Sequence, residues 1–310
     1  MNSLAPLRLI RGLPSRAGAP CVLTIGTFDG LHRGHQALID RASERARALG
    51  LPAGLLSFEP MPREFLHPES PPPRLTSLRE RWRLLADTRL VRLHLLHFND
   101  GLRGLSGRQF MELLRKIGAR AIVVGHDFRF ARDGEATAEW CAQEALQYGF
   151  EVEIVAPVCV NQERISSGLV RAALASGDLK RAEVLLGRPY TMCARVRRGA
   201  QLGRTLGFPT ANLPIHRRRS PLAGIFAVRV SGAAGRTNWP AVASLGTRPT
   251  VDGIEPLLEV HLFDFSGDLY GAELEVQFVV QLREERRFES LDQMVAQMHC
   301  DAAQARAALK

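Results

Sequence analysis

The sequence predicts an α/β domain with a parallel sheet, followed by a small antiparallel β-barrel that ends in a helix. Strand-sized apolar runs alternate with helical patterns in the first half, an order typical of a parallel sheet with helices on both faces. Beyond residues 187–189, Gly-Arg-Pro, short strand-like runs separated by Gly and Pro favour a small barrel or sandwich. The length of 310 residues favours two domains, which we expect at residues 1–186 and 187–310.

In the first half, strands are predicted at residues 22–25, 53–58, 91–96, 121–124 and 151–155, and helices at 36–42, after the Ser77–Glu80 capping box and after the Ser106–Gln109 capping box. In the second half, strands are predicted at residues 191–196, 224–230, 242–245, 257–263 and 274–280, and Ser290 caps a helix that runs toward Ala308. Ligands of parallel sheets bind beyond the carboxyl ends of the strands, where Gly26, Gly125 and the residues after Phe58 lie.

Composition limits the function classes. Hydrophobic residues make up 45% and charged residues 24% of the chain, the balance of a globular protein without a membrane partner. The five cysteines are scattered and form no C-x-x-C pair, which favours a reducing cytoplasm over a disulfide framework. The net charge of +9 fits an enzyme of polyanionic nucleotides and fits nucleic-acid binding equally well.

Residues 26–35, Gly-Thr-Phe-Asp-Gly-Leu-His-Arg-Gly-His, lie between a predicted strand and a predicted helix. Glycines let such a turn approach a ligand closely, and the first N–H groups of a helix attract anions. His32 and His35 are three residues apart, so both can face one phosphate group. This pattern predicts nucleotidyl transfer, with the imidazoles stabilising charge on ATP phosphates; the alternative is an ordinary turn with surface histidines.

A second candidate phosphate site lies at residues 164–171. The hydroxyls of Ser166 and Ser167 precede a predicted helix, and Arg171 follows about one turn later. Alone, the stretch is a plain helix cap with a surface arginine. Together with residues 26–35 it predicts a second wall of an ATP site.

Residues 202–213 form a third candidate, a glycine-framed loop with the side chains of a phosphate and metal site. A threonine hydroxyl and an asparagine carbonyl are hard oxygen ligands that suit Mg²⁺. Simple hairpin glycines and an edge proline are the alternative. The candidate residues are Gly203, Arg204, Thr205, Gly207, Thr210 and Asn212.

Residues 258–264 alternate like a strand, which places Glu259 on one face with His261. From the strand alone, Glu259 is an outward-facing acidic residue. Residues 217–219, three successive arginines, are expected to be a solvated loop.

These stretches together resemble the prokaryotic bifunctional riboflavin kinase/FMN adenylyltransferases, or FAD synthetases. That family carries G-x-F-D-G-x-H-x-G-H, V-G-x-D-F-R-F-G and S-S-T-x-x-R stretches, followed by G-F-P-T-A-N. The chain matches them in this order, at residues 26–35, 124–130, 166–171 and 207–212. It departs at Thr27, at Gly168, which removes a hydroxyl, and at Ala131, which replaces the usual glycine.

The resemblance implies a Rossmann-like nucleotidyltransferase domain, a riboflavin-kinase-like barrel and a role for each candidate residue. Glu259 would be the catalytic base of the kinase, and Thr210 and Asn212 would bind Mg²⁺ with ATP. Asp127, Phe128, Arg129 and Phe130 would hold the flavin of the adenylyl step. The ATP of that step would contact Gly26, Phe28, Asp29, His32, Gly34, His35, Ser166, Ser167 and Arg171.

The resulting expectation is two successive reactions, riboflavin and ATP to FMN and ADP, then FMN and ATP to FAD and diphosphate. Partners would be these small molecules, with neither nucleic acid nor membrane; the oligomeric state is left open. One rival keeps the chemistry but changes the acceptor of the adenylyl group. Another is RNA binding by the basic barrel, which the aromatic content of 6% disfavours because base stacking needs aromatic side chains.

Overall fold

The computed structural model describes residues 6–199, 203, 206–250 and 253–310, without the side chains of 133, 248–250 and 253–255. It divides into two compact units. The first comprises Met1–Pro72 and Arg81–Ser166, and the second comprises Pro73–Glu80 and Ser167–Lys310. The predicted boundary at residues 186 and 187 concerns functional domains and stays a prediction.

The helices and strands are numbered in chain order. The helices are α1 Arg33–Leu49, α2 Pro62–Leu66, α3 Leu78–Ala86, α4 Asp100–Arg103, α5 Gly107–Ile117, α6 Ala138–Glu144, α7 Ser167–Ala175, α8 Leu179–Leu186 and α9 Leu291–Ala308. The strands are β1 Arg8–Arg11, β2 Cys21–Ile25, β3 Ala53–Glu59, β4 Arg92–His97, β5 Ala119–Gly125, β6 Arg129–Phe130, β7 Ala136–Thr137, β8 Glu151–Val155, β9 Cys159–Val160, β10 Glu163–Arg164, β11 Thr191–Arg195, β12 Ala211–Pro214, β13 Gly224–Ser231, β14 Trp239–Thr250, β15 Gly253–Leu262 and β16 Glu273–Arg283.

The first unit is built on a parallel sheet with the strand order β1-β4-β3-β2-β5-β8, which confirms the predicted architecture. Both faces of the sheet are covered: one core includes residues of α1 and α3, the other residues of α5 and α6. Strands buried on both faces need continuous apolar runs, which is why β2 is buried at all five of its positions. The ends of β2, β3 and β5 meet at one edge of this sheet.

The second unit contains the antiparallel sheet β11-β16-β13-β14-β15-β12. Just beyond β11, a bridge from Arg197 to Asn212 joins the first strand to the last, so the sheet is a nearly closed barrel. Phe226, Val228 and Val230 alternate into its interior and are completely buried. The barrel and its terminal helix confirm the predicted second fold.

Helix α9 packs against an outer face of this barrel. Ser290 caps it, accepting a hydrogen bond from the Gln293 N–H, as predicted. Asp301, on the inner side of α9, forms a paired salt bridge with Arg283, with Nη2 and Oδ2 2.7 Å apart. At the end of the helix, Arg229 donates to the Leu309 carbonyl. These contacts fix α9 against β13 and β16, the strands that carry Arg229 and Arg283.

The structure contains several short elements that the sequence did not predict, and it differs from the prediction notably at β1, β12 and Arg217. Strand β1 is exposed at all four positions, so it carries no burial pattern that could predict it. Strand β12 was predicted as part of a loop, because it is short and preceded by glycines. Arg217 was predicted as solvated, and this was wrong: it is 4% exposed and pairs with Glu80, while Arg218 and Arg219 are exposed. A buried carboxylate partner offsets the desolvation of that guanidinium.

Candidate active sites

The turn between β2 and α1 places two imidazoles at the start of the helix. His32 is the N-cap of α1, and its Nδ1 accepts the N–H of His35 at 3.3 Å. The two rings stack with centroids 3.6 Å apart, and Phe28 packs on His35 at 4.7 Å. Because Nδ1 accepts, the proton of His32 lies on Nε2, the nitrogen that can donate to a phosphate oxygen.

Gly34 is required by the close approach of His32. A Cβ at position 34 would lie 3.2 Å from two atoms of the His32 ring and 3.7 Å from the Ile165 carbonyl oxygen. A larger residue would therefore displace the stacked imidazoles. The same turn buries Asp29, which is 1% exposed, and Phe28, which is fully buried. Gly26 precedes them at the end of β2.

The structure distributes the Arg164–Arg171 stretch over both units. Ser166 ends the first unit, whereas Ser167 and Arg171 belong to helix α7 of the second. Ser166, Ser167 and Arg171 are half-buried, and Arg171 donates through Nε to the Pro73 carbonyl at 2.6 Å. Their shared role with the histidines at one ATP stays a prediction.

The residues expected to hold the flavin follow strand β5. Asp127 and Arg129 are exposed, and Asp127 forms an ion pair with Arg164 at 2.9 Å. Phe130 is half-buried, and its ring stacks between Phe110 at 3.8 Å and Phe58 at 5.4 Å. Strands β6 and β7 pair as a hairpin, and Phe130 of β6 thus anchors it to the core.

In the second unit, the candidate kinase residues Gly203, Thr210, Asn212 and Glu259 line one cavity of about 290 Å³ between the outer face of the barrel and α9, whereas Gly207 is not part of its lining. Asn212 and Glu259 are directly opposite each other on β12 and β15, and Ser244 faces Glu259 from β14. His261, on the same face as Glu259, donates through Nδ1 to the Pro209 carbonyl at 2.9 Å, because a carbonyl oxygen can only accept. The cavity lining comprises Gly203, Leu206, Phe208, Thr210, Asn212, Ile225, Val242, Ala243, Ser244, Glu259, His261, Arg283, Glu285, Arg286, Phe288, Met294, Met298 and Asp301.

The oxygen ligands predicted for a metal converge in this cavity. Asn212 is 7% exposed, and its buried Oδ1 has no hydrogen-bond partner among the described residues. Its Nδ2 contacts the Thr210 carbonyl at 3.5 Å. A buried amide oxygen without a partner is costly unless a ligand satisfies it, so the residues fit a hard cation such as Mg²⁺.

Gly203 closes the loop before β12. A Cβ there would lie 2.3 Å from the Phe208 carbonyl oxygen, and the Phe208 N–H donates to the Gly203 carbonyl at 2.7 Å. Only a glycine fits this contact. Gly207 is exposed, with a φ of 80°. Arg204, Thr205 and the side chain of Arg248 lie outside the described residues.

A second carboxylate lies in the same cavity. Burial raises the pKa of Glu285, with a further contribution from the negative charge of Glu259 and an opposing one from Arg283. Sequence reasoning missed Glu285, and it also missed Met294 and Met298 of α9. The only signal was their position after the last strand, which does not distinguish a cavity wall from an exposed helix face.

The fold and the two sites define a class of protein: a nucleotidyltransferase-like parallel α/β unit joined in one chain to a kinase-like β-barrel. Family models agree with both parts, matching FAD synthetase at residues 15–169 and riboflavin kinase at residues 186–309. The chain belongs to the family of bifunctional riboflavin kinases/FMN adenylyltransferases, and it is an enzyme of that family.

Curated relatives match over almost their entire length. The bifunctional riboflavin kinase/FMN adenylyltransferase of Escherichia coli K12 is 42% identical over 305 residues, covering 97% of both chains. The enzyme of the same description from Pseudomonas fluorescens is 44% identical over 308 residues, again covering 97% of both. A crystal structure described as a macrolide-efflux protein from Streptococcus pneumoniae superimposes with a TM-score of 0.79 at 33% identity, covering 96% of this chain and 98% of that one. None of the helices in the described part of this chain has the length and apolar character needed to cross a bilayer.

Proposed function

We propose that the chain carries out two successive ATP-dependent reactions at two separate sites. The barrel, within residues 187–310, transfers a phosphoryl group from ATP to riboflavin and forms FMN and ADP. The α/β domain, within residues 1–186, then joins FMN to the AMP portion of ATP and forms FAD and diphosphate. Family membership supports both activities, and the cavity that contains Asn212 and Glu259 supports the first.

The juxtaposition of Asn212 and Glu259 carries the proposal for the kinase. Glu259 accepts the proton of the riboflavin 5′-hydroxyl as that oxygen attacks the γ-phosphorus. Thr210 and Asn212, separated by Ala211 at the start of β12, would hold Mg²⁺ on the side of the phosphates. Bound there, the cation would neutralise phosphate charge. Gly203, which lines the same cavity, contacts the nucleotide.

For the adenylyl step, the stacked pair of His32 and His35 supports the proposal. The FMN phosphate oxygen attacks the α-phosphorus of ATP, and diphosphate leaves. Negative charge grows on the departing oxygens, where the imidazole N–H groups stabilise it. Asp127 precedes and Arg129 belongs to the β6–β7 hairpin that Phe130 anchors; both are exposed, and family membership supports their contact with the flavin nucleotide.

Several parts of the proposal rest on the sequence alone. The absence of a nucleic-acid partner and a cytoplasmic location stay predictions. Flavin as the acceptor of the adenylyl group depends on family membership together with residues 127–130. A different phosphorylated acceptor would use the same histidine pair, so acceptor choice needs a direct test.

The test is product analysis with the purified full-length chain, riboflavin, ATP and Mg²⁺. We expect FMN to appear first and FAD to follow. One ADP should form for each riboflavin that is phosphorylated, and one diphosphate for each FAD. FMN without FAD would refute the adenylyl assignment. Transfer to other phosphorylated acceptors, with none to FMN, would identify the rival acceptor.

A further inference from the structure

A buried arginine beneath the histidine turn has no place in the two reactions above. Arg81, in helix α3, is completely buried in the first unit. Its Nη1 donates to the Thr27 carbonyl at 2.5 Å and lies 3.4 Å from Ser57 Oγ, while its Nη2 pairs with Glu59 at 3.0 Å. One guanidinium thus joins the turn after β2 to the end of β3.

Burying a guanidinium in a protein core costs free energy. Apolar residues of similar volume are often as stabilising as a buried ion pair, because charged groups lose hydration when they are buried. The carboxylate partner here is only partly buried, since the side chain of Glu59 is 28% exposed. What an apolar residue at position 81 could not do is bind the Thr27 carbonyl.

The Thr27 carbonyl lies at the strained part of the turn. Phe28, the next residue, has a φ of 50°, and Leu31 has a φ of 45°. Residues with side chains adopt this left-handed region only where surrounding contacts enforce it. Besides Arg81, Ser57 donates to the same carbonyl at 3.4 Å. Two donors on one oxygen therefore hold the entry of the turn.

The position of the imidazoles depends on this turn. His32 follows it directly, and the helix cap and the stack with His35 both depend on where His32 lies. A shift of the Thr27 carbonyl would be passed through four residues of fixed backbone to the His32 ring. Misplacement of a catalytic group by about 1 Å can cost about 100-fold in rate.

We propose that Arg81 is a positioning residue for the ATP phosphates in adenylyl transfer. It acts by fixing the Thr27 carbonyl, and thereby the His32–His35 pair, without touching the substrate. This inference rests on the proposed adenylyltransferase function of the first unit. It predicts a defect in the use of ATP, with binding of the flavin nucleotide preserved.

The experiment measures steady-state FAD synthesis from FMN with the full-length chain and its variants Arg81→Met, Arg81→Lys and Arg89→Met. In Arg81→Met we expect kcat/KM for ATP to fall about 100-fold, with KM for ATP raised and KM for FMN within about twofold of wild type. Arg81→Lys retains a donor without the planar fork and should recover about tenfold of that loss, leaving kcat/KM for ATP about tenfold below wild type. Arg89, an exposed arginine just beyond the same helix, provides the control, and its variant should match wild type.

The KM pattern separates positioning from general damage. Partial unfolding lowers kcat only by the unfolded fraction and leaves both KM values unchanged, so unchanged KM values with a kcat loss no larger than the unfolded fraction, measured by circular dichroism, would overturn the inference. If Arg81→Met shows no cooperative unfolding transition, Arg81→Lys decides: a raised KM for ATP alone supports the inference, and wild-type constants overturn it. No FAD from FMN with the wild-type chain would refute the proposed function, and this inference with it.

Discussion

Asn212 and Glu259 are cross-strand neighbours, paired directly on β12 and β15 of the barrel. Paired strands thus hold side by side a carboxylate and an amide oxygen that has no hydrogen-bond partner in the described part of the chain. This geometry suits a site where a cation and a proton acceptor must lie on either side of a reacting phosphate. It also implies that the apoprotein tolerates an unsatisfied polar atom.

Replacing Asn212 by Leu should therefore separate stability from activity. Leucine has a similar volume and removes the buried oxygen, so we expect the free energy of unfolding to stay the same or rise by about 1 kcal/mol. FMN formation should fall at least about 100-fold, because the proposed metal ligand is lost. Denaturant unfolding and a kinase assay on the same sample measure both effects. A strongly destabilised Asn212→Leu protein would contradict this account of the amide oxygen.

Ala131 should respond to substitution in the opposite way to a helical alanine. It has φ 67° and ψ −178°, a region that glycine occupies readily and that costs about 1–3 kcal/mol for other residues. Ala131→Gly should therefore stabilise the first unit by about 1 kcal/mol. The matched control is Ala48→Gly on the exposed side of α1, which should destabilise by about 1 kcal/mol. Thermal unfolding of both variants tests the prediction, and equal destabilisation would contradict it.

Much of this could be predicted from sequence, for identifiable physical reasons. Strands β2 and β8 and the capping boxes at Ser77 and Ser106 depend on local patterns, and the structure confirms them. Glu259 and His261 could be placed on one face because strand residues alternate. Local patterns do not indicate which element covers that face, so the contribution of α9 could not be predicted.

Buried charged residues could not be predicted from the sequence either. Arg81 and Arg217 look like surface arginines in the sequence, because their partners lie far along the chain at Glu59 and Glu80. Long-range ion pairs leave no periodic pattern. The sequence did contain a signal for the positive φ of Ala131, because the family it resembles usually has glycine at this position.

His94 should make the first unit sensitive to acid. Burial, together with the positive charge of Arg92, lowers its pKa to about 4 from the usual 6.5. Above pH 6.5 the imidazole is neutral in both states and contributes no pH dependence. As the pH falls from about 6.5 to about 4, only the unfolded state gains the proton, so about 3 kcal/mol of stability is lost.

The free energy of unfolding, measured from pH 7 to pH 4 for wild type and for a His94 variant, tests this prediction. His94→Leu should lose stability less steeply than wild type over this range, because the titrating group is gone. His67→Leu, at an exposed histidine, should retain the wild-type slope. Identical slopes for wild type and His94→Leu would show that His94 is not the acid-sensitive group.

The salt bridge between Asp301 and Arg283 should stabilise the packing of α9 against the barrel. Asp301 is 3% exposed, receives both Nε and Nη2 of Arg283 and also accepts from Gln297. Asp301→Ala leaves a largely buried guanidinium without its partner and should destabilise the second unit by about 3 kcal/mol. Asp292→Ala, at an exposed position in the first turn of the same helix, is the control and should cost less than about 1 kcal/mol. Chemical denaturation measures the free energy of unfolding of both variants. Equal losses in Asp301→Ala and Asp292→Ala would contradict this role.

The central claim is that two independent sites on one chain carry out the two steps. The most direct measurement compares Glu259→Ala with the double variant His32→Ala/His35→Ala, each supplied separately with riboflavin or FMN. We expect Glu259→Ala to form FAD from FMN at the wild-type rate and no FMN from riboflavin, and the double variant to do the reverse. Loss of both activities in either folded variant would contradict the division of labour.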